Sequence, residues 1–132
     1  MRVRRYTVVA TLAAAACVLA TASPAVAGPG GGCSSGYVCL YENNDFNQGN
    51  TDHWLDFTGD DFDLRNNYWS GSNDSIDNET SAIRNRRGCS VRLWQHVGGT
   101  GAQSTFSNGA DDGFLANNAI GDNRASAVDV CV

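Results

Sequence analysis

The sequence predicts an all-β domain, and three observations indicate it. Short apolar or alternating runs of strand length recur at residues 37–41, 53–57, 90–94 and 127–131. Clusters of the turn-forming residues Gly, Asn, Asp and Ser separate these runs. Helix signals are scarce throughout the chain. Short strands between such turns are typical of a β-sandwich or a β-barrel.

Residues 1–27 have the pattern of a secretory signal peptide. A start with three arginines precedes an apolar run over residues 8–20, and residues 25–27 form an Ala-Val-Ala cleavage site. The apolar run is shorter than the ~20 residues that a membrane-spanning helix needs. We therefore expect cleavage after Ala27, a secreted extracellular protein and one mature domain over residues 28–132.

The mature region is strongly acidic. It keeps six arginines and fourteen acidic residues, for a net charge of −8, and the chain contains no lysine. Such a surface repels phosphates and anionic lipids, so we expect neither nucleic acid nor a membrane as a partner. The same surface would tolerate divalent cations. We expect the domain to be a monomer.

Four cysteines remain after cleavage, and an even number in a small exported chain predicts two disulfides. Three pairings of the four are open. Cys33 and Cys39 flank one short Ser-Ser-Gly turn, which favours their pairing. Cys89 and Cys131 would then tie the start of the C-terminal half to its last strand. A zinc site is the alternative, but the cysteines are not arranged as two CxxC pairs.

The mature chain contains an internal repeat. Residues 38–41, Val-Cys-Leu-Tyr, correspond to residues 91–94, Val-Arg-Leu-Trp. An Asp-Asn-x-x-Ser-Ala segment occurs at residues 77–82 and again at residues 122–127. The offset falls from 53 residues for the first correspondence to 45 for the second. This difference predicts an insert in the first half near residues 66–74.

An aromatic residue, four further residues, a second aromatic and a nearby glycine, followed later by Asp-Asn-x-x-Ser, resemble the βγ-crystallin Greek-key motif. The residues that fit are Tyr41, Phe46 and Gly49, with the glycine one place late, and in the second half Trp94 and Gly101. Gly99 stands where the second aromatic should be. The resemblance implies a βγ-crystallin-like two-motif Greek-key sandwich stapled by two disulfides. Its repeat halves span about residues 33–88 and 89–132.

The whole mature chain also resembles the Streptomyces metalloproteinase inhibitor family, which are exported proteins of similar size with a crystallin-like fold and two disulfides. The resemblance rests on Gly-Tyr-Val-Cys-Leu-Tyr-Glu at residues 36–42 and on the cysteine layout. It implies a secreted inhibitor of a thermolysin-type metalloprotease. It also places the reactive bond beside the third mature cysteine, at Cys89–Ser90.

The protease-contact loop that this resemblance implies consists of Arg87, Gly88, Cys89, Ser90 and Val91. A substrate-like inhibitor holds an extended segment rigidly in the cleft of its target, and a neighbouring disulfide supplies rigidity. Thermolysin-type proteases prefer a bulky apolar residue after the cut, which Ser90 fits poorly and Val91 fits well. In the alternative interpretation, Arg86 and Arg87 are only the solvated rim of a hairpin.

Tyr68 and Trp69 form a second candidate contact with a partner, because they lie between polar residues in the expected insert. An exposed aromatic pair on a loop suits a binding hot spot. The simplest interpretation assigns Trp69 to the core together with the other large aromatic residues, namely Phe46, Trp54, Phe57, Phe62, Trp94, Phe106 and Phe114.

The repeated Asp-Asn-x-x-Ser segments are candidate calcium sites, because the corresponding positions of crystallin-like folds bind Ca²⁺ and the loop of each motif completes the site of the other. The candidate ligands are Asp77, Asn78, Ser81, Asp122, Asn123 and Ser126. They offer the oxygen donors that Ca²⁺ prefers. In the alternative interpretation these side chains bind backbone N–H groups and only pin the turns. No other cofactor is expected.

Three functions are compatible with these patterns. A secreted metalloprotease inhibitor is the preferred one, followed by a calcium-stabilised structural or stress module of the crystallin type and by a killer-toxin-like protein of the same fold. An enzyme is not expected. The acidic pairs at residues 60–61 and 111–112 do not form a catalytic couple, since adjacent strand residues point to opposite faces. The chain also lacks a nucleophile elbow and a phosphate-binding loop.

Overall fold

The computed structural model describes residues 32–48 and 50–132, so the expected signal peptide and the motif glycine Gly49 lie outside the described residues. Within this part the all-β prediction is confirmed. The strands are β1 (Val38–Tyr41), β2 (Trp54–Phe57), β3 (Ala82–Asn85), β4 (Val91–His96), β5 (Thr100–Phe106), β6 (Asp111–Asp112) and β7 (Ala127–Val130). A four-residue turn of helix, α1 (Asn44–Asn47), and two 3₁₀ turns, Leu64–Asn66 and Leu115–Asn117, lie between them. Among the described residues, no helix has the length and apolar character needed to cross a membrane.

The strands form two antiparallel sheets that exchange short segments between the halves of the chain. Sheet A has the order β2-β1-β3-β6, and sheet B has the order β5-β4-β7. Strand β6 belongs to the second half but pairs with β3 of the first. In return, Asp61 of the first half bridges Val128 of β7 in sheet B. Each half therefore completes the sheet of the other.

The register of the hairpins follows the internal repeat. Val38 pairs with Phe57 across β1 and β2, and Val91 pairs with Phe106 across β4 and β5. The correspondence of the first strands of the two halves is therefore a structural one. The correspondence also includes the partner strands, because a phenylalanine pairs with the first valine in each hairpin.

The main core lies between the two sheets. All four side chains of β1 are fully buried, because this strand is covered on both faces. Val38 and Leu40 face the main core, and Cys39 faces a smaller cluster on the outer side of sheet A. Two aromatic residues expected in the core, Phe62 and Phe114, are instead exposed by 41% and 45%. Their positions in loops beside polar turns leave them outside both clusters.

The predicted disulfide pairing is confirmed. Cys33 and Cys39 are bonded with their Cα atoms 5.7 Å apart, and Cys89 and Cys131 with theirs 5.1 Å apart. The first bond ties the N-terminal segment onto the outer face of β1. The second joins residues 42 positions apart in the sequence. A loop of that length corresponds to about 4 kcal/mol of stabilisation in the chain-entropy model.

The predicted insert is present as a turn whose sides are bridged at Tyr68 and Ser75. It covers the free edge of β2, because the Ser70 N–H donates to the Trp54 carbonyl at 3.1 Å. Trp69 is only 1% exposed, whereas Tyr68 is 54% exposed. The burial of Trp69 confirms its assignment to the core, and the candidate contact with a partner is wrong for this residue.

We expect Trp69→Ala to lower the free energy of unfolding by about 3–5 kcal/mol, the usual result of removing a buried aromatic side chain. The neighbouring variant Tyr68→Ala is the matched control and should stay within about 0.5 kcal/mol of wild type. Urea unfolding followed by far-UV circular dichroism measures both. Equal effects of the two substitutions would contradict the assignment of Trp69 to the core.

Candidate cation sites and the disulfide-anchored loop

The two Asp-Asn-x-x-Ser segments lie where the halves of the chain cross. The Ser81 N–H donates to the Tyr41 carbonyl at 2.9 Å, and the Ser81 carbonyl accepts from the first residue of the second 3₁₀ turn at 2.9 Å. Ser126 repeats both bonds, to Trp94 at 2.8 Å and to the first residue of the first 3₁₀ turn at 3.0 Å. Both serines are buried. Their side chains are therefore held in fixed positions.

Each serine meets the asparagine of the other segment. The Ser81 hydroxyl donates to Asn123 Oδ1 at 3.1 Å, and the Ser126 hydroxyl donates to Asn78 Oδ1 at 3.3 Å. Asn78 and Asn123 both have a left-handed backbone, with φ of 60° and 54°. Asparagine adopts this conformation more readily than most residues. The structure thus brings candidate ligands from different halves together in two equivalent places.

The aspartates of these segments carry a feature that turn-pinning does not explain. Asp77 Oδ1 and Asp122 Oδ1 are both buried, and neither accepts a hydrogen bond from the described residues. A buried polar atom without a partner is costly, most of all when it carries charge. In the turn-pinning interpretation these oxygens would accept backbone N–H bonds. Two unpartnered carboxylate oxygens at equivalent positions instead suit a bound cation.

The donor set selects the kind of cation. Within residues 32–48 and 50–132, no group of three or more His, Cys, Asp or Glu side chains is placed to hold a metal. Zinc sites in proteins are built mainly from cysteine sulfur and histidine nitrogen, whereas the candidate ligands of both segments are oxygen donors. A hard cation such as Ca²⁺ also accepts hydroxyl, amide and backbone oxygens. Ser81 and Asn123 supply such groups in the cleft that Asp122 also lines, and Ser126 and Asn78 are their equivalents beside Asp77 in the repeat, so the residues present fit calcium.

We call the first place site 1 and define it by Ser81, Asp122 and Asn123. It opens into a cleft of about 360 Å³, whose other lining residues are Glu42, Asn43, Asn44 and Glu79. Site 2 is the equivalent place formed by Ser126, Asp77 and Asn78. In the repeat, Gln95 and Arg124 occupy the positions that Glu42 and Glu79 have beside site 1.

Asn44, which lines the cleft of site 1, begins a strained turn that the sequence patterns did not reveal. Asp45, Phe46 and Asn47 in α1 have φ of 52°, 59° and 56°, which makes this turn left-handed. Such a conformation costs roughly 1–2 kcal/mol per residue for non-glycine residues. The buried Asn47 offsets part of this cost, because its Oδ1 accepts from the Asn43 N–H at 2.7 Å. The Asn47 amide also donates to the Asp52 carbonyl at 3.0 Å.

Aromatic packing holds the same turn against sheet A. The rings of Phe46 and Tyr41 meet edge to face, with centroids 5.6 Å apart. The Arg84 guanidinium lies 4.0 Å from the Phe46 ring centroid, within range of a cation–π interaction. Burial raises the pKa of the Tyr41 hydroxyl, and the charge of Arg84 partly opposes that rise. Tyr41 and Phe46 of the crystallin-like motif therefore serve packing beside the cleft.

The acidic pairs have structural roles in this fold. Asp61 accepts from the Asp63 N–H at 2.9 Å and from the Asn67 amide at 2.7 Å. Asp112 makes the equivalent bonds, at the same two distances, in the other half. Asp111 receives two 2.7 Å bonds from Arg86. These carboxylates are engaged in hydrogen bonds that hold turns and strand ends in place.

The expected protease-contact loop lies between β3 and β4 and is held mainly by one buried side chain. The Asn85 amide donates to the Cys89 carbonyl at 2.8 Å and to the Phe106 carbonyl at 3.0 Å. Its Oδ1 accepts from the Arg87 N–H at 3.0 Å. The Ser90 carbonyl accepts from the Cys131 N–H at 2.9 Å, beside the disulfide. No motif in the sequence pointed to Asn85.

The structure corrects part of the expected contact. Val91 is completely buried, because it lies in the central strand of sheet B and pairs with Phe106 and Val130. Its side chain is therefore not available to a specificity pocket, contrary to the expectation. Gly88 is exposed, and Cys89 and Ser90 are half-buried. The part of the loop that remains accessible thus ends before the strand begins.

Comparison with known proteins identifies the fold. No family model matches the sequence, and a search of curated proteins found no match. A βγ-crystallin from an archaeon matches with a TM-score of 0.54 and 19% identity, covering 73% of this chain and 98% of that one. A βγ-crystallin from Ciona intestinalis matches with a TM-score of 0.56 and 17% identity, covering 71% and 98%. A domain from Clostridium beijerinckii gives 0.51 and 14%, covering 70% and 94%.

The described domain is therefore a two-motif Greek-key sandwich. Its fold is that of the βγ-crystallin domains, as the aromatic and Asp-Asn-x-x-Ser patterns implied. Identities this low establish the fold alone. The implied relation to metalloproteinase inhibitors stays a hypothesis.

We expect Asn85→Ala to destabilise the domain by at least about 3 kcal/mol, because several buried backbone groups lose their partner. The control is Asn108→Ala, whose exposed side chain accepts a single bond, from the Gly88 N–H. Urea unfolding measures stability, and limited proteolysis should show new cleavage within residues 86–90 for Asn85→Ala only. Unchanged protease resistance would mean that Asn85 does not hold the loop.

Proposed function

We propose that this protein is an exported calcium-binding module of the βγ-crystallin type, with two cation sites where its halves cross. The observation that carries the proposal is the pair of buried, unpartnered carboxylate oxygens of Asp77 and Asp122. Each lies in a segment whose asparagine meets a serine of the other half. The mature net charge of −8 is consistent with a partner that is a cation.

The side chains of each site would act together. When bound, Ca²⁺ would supply positive charge to oxygens that the fold leaves without a donor. Ser81 and Asn123 hold two oxygens 3.1 Å apart at site 1. If the Ser81 hydroxyl turns its proton away from Asn123, both oxygens can face the same ion. Because these residues come from different halves, occupancy would stabilise the folded state by mass action.

We expect millimolar Ca²⁺ to raise the Tm of the wild-type domain, and the double variant Asp77→Ala, Asp122→Ala to lose this rise. Without Ca²⁺ the double variant should be at least as stable as wild type, because it removes two uncompensated buried carboxylate oxygens. Differential scanning calorimetry in EDTA and in CaCl₂ measures both effects.

The control for this experiment is Asp56→Ala, which removes an exposed carboxylate of β2 away from both sites. It should keep the full calcium response. If the double variant is less stable than wild type in EDTA and the wild type ignores Ca²⁺, the aspartates only pin their turns. That result would overturn the proposal.

A second candidate function is the inhibition of a secreted thermolysin-type metalloprotease, and one observation favours it. The accessible residues Gly88, Cys89 and Ser90 are held by a disulfide and by hydrogen bonds from Asn85 and Cys131. A loop restrained in this way loses little entropy on entering a cleft. The Cys89 carbonyl, however, is already an acceptor for Asn85, so it would have to exchange that bond for the catalytic zinc.

We expect Ser90→Val to tighten inhibition of a thermolysin-type protease by about tenfold, since burying a valine side chain contributes about 1.5–3 kcal/mol. The loosened variant Asn85→Ala should instead be cut as a substrate. Initial rates with a fluorogenic peptide measure inhibition, and mass spectrometry locates the cut. If the wild-type domain leaves the protease unaffected at micromolar concentration, this second function is excluded for that protease.

A further inference from the structure

We propose that the two cation sites are unequal, that site 1 binds Ca²⁺ first, and that Arg124 is the residue that weakens site 2. This inference rests on the proposed calcium sites. It assigns a role to residues that lie beside the ligands and differ between the halves.

The backbone hydrogen bonds and the strand register around the two sites are the same, so they do not distinguish the sites. The Asn78 N–H donates to the Ala125 carbonyl at 2.9 Å, and the Asn123 N–H donates to the Thr80 carbonyl at 3.0 Å. The register agrees as well, because Tyr41 pairs with Ala82 as Trp94 pairs with Ala127. The serine, asparagine and aspartate are present in both sites. A difference in affinity must therefore come from the neighbouring side chains.

Those neighbours differ in charge. The third residue of the Asp-Asn-x-x-Ser segment is Glu79 in the first half and Arg124 in the second. The residue after the last aromatic of the first strand is Glu42 in the first half and Gln95 in the second. Site 1 is thus bordered by two glutamates in addition to Asp122. Site 2 has Asp77 with a neutral amide and a cation.

The glutamates of site 1 are held beside the cleft. Glu79 Oε2 accepts from the indole N–H of Trp69 at 3.1 Å, a neutral donor that fixes the carboxylate without cancelling its charge. Glu42 Oε2 lies 2.5 Å from His53 Nδ1. Because the Glu42 carboxylate is directed at the His53 ring and Glu79 contacts a neutral donor, Glu79 contributes the more dependable negative charge at site 1.

The cation of site 2 lies against the turn that carries a candidate ligand of site 1. A Cβ atom added to Gly121 would come within 3.0 Å of Arg124 Cδ, so the arginine stem packs on the Gly121–Asp122 turn. Glu79, the corresponding residue of the first half, likewise belongs to the turn of Asp77 of site 2 and yet lines the cleft of site 1. The repeat therefore places Arg124 beside site 2.

The charge count beside the oxygen ligands sets the order of binding. Calcium affinities of oxygen sites extend over several decades, and the number of charged ligands is one main cause. The difference between a glutamate and an arginine at one position should therefore separate the two dissociation constants by at least about tenfold. Gln95 should not close this gap, because its Oε1 already accepts from the Ala102 N–H at 3.2 Å.

Isothermal titration of the mature protein with CaCl₂ tests the inference. Asp77→Ala should leave the tighter site, and Asp122→Ala should leave only the weaker one. Arg124→Glu should tighten the weaker site by at least about tenfold. Arg124→Gln, which removes charge without adding any, should give a smaller gain. Glu79→Gln keeps an acceptor for Trp69 and should weaken the tighter site by several-fold.

The outcomes separate this inference from the proposed function. If the wild-type protein gives neither binding heat nor a rise in Tm with Ca²⁺, the proposed function fails and this inference fails with it. If two equal sites bind and Arg124→Glu changes neither, calcium binding stands and only this inference is overturned. A tighter site that survives Asp122→Ala reverses the order and also overturns it. The Tm of each variant in EDTA establishes that it is folded.

Discussion

The two buried serines at the crossing of the halves are the contacts on which the rest of the structure depends. The backbone N–H groups of Ser81 and Ser126 donate to Tyr41 and Trp94, the aromatic residues of the first strands of their own halves, and their carbonyls accept from a 3₁₀ turn of the other half. A buried backbone group has few ways to be satisfied, so these bonds fix where each half begins to cover the other. The side-chain oxygens that remain are then directed at the asparagine of the opposite segment. The geometry of both candidate cation sites is a consequence of this backbone arrangement.

Strand β3 connects the two regions that matter for function. Its start follows Ser81 at site 1, and its last residue is Asn85, which holds the accessible loop. The strand is paired on both sides, with β1 and with β6. The two regions are therefore joined by one doubly paired strand of four residues. The calcium-binding and inhibitory hypotheses accordingly describe opposite ends of one strand and do not compete for the same residues.

Much of the fold could be predicted from the sequence, because its signals are local. Strand-length runs between turn residues, the short spacing of Cys33 and Cys39, and the falling offset of the repeat all gave correct elements, including the insert. The candidate ligands Ser81 and Ser126 were found for the same reason, since the repeat marks them. What the sequence did not reveal depends on partners far along the chain. Asn85 looks like any polar strand-end residue until Phe106 and Cys89 are placed beside its amide.

Val91 and Trp69 were both candidates for contact with a partner, and both are buried. Val91 directly follows the half-buried Ser90, and it is already the first residue of the central strand of sheet B. Trp69 lies among polar residues, but the insert folds back on β2 and carries it into the core. Sequence neighbours do not report on such burial, because the covering residues belong to other strands. The left-handed turn at Phe46 was missed for a related reason, since its cost is offset by contacts with Tyr41 and Arg84.

The exchange of β6 and the Asp61 bridge between the halves has a consequence for how such a chain could have arisen. A chain of half this length would have the central hairpin of one sheet but not the segment that completes it. Two identical copies related by a twofold axis could supply that segment to each other, as isologous dimers do. A homodimeric ancestor, later fused into one chain, would already have contained both crossings. The two halves of the present chain are not identical, and the opposite charges of Glu79 and Arg124 at corresponding positions are one difference that a symmetric dimer could not contain.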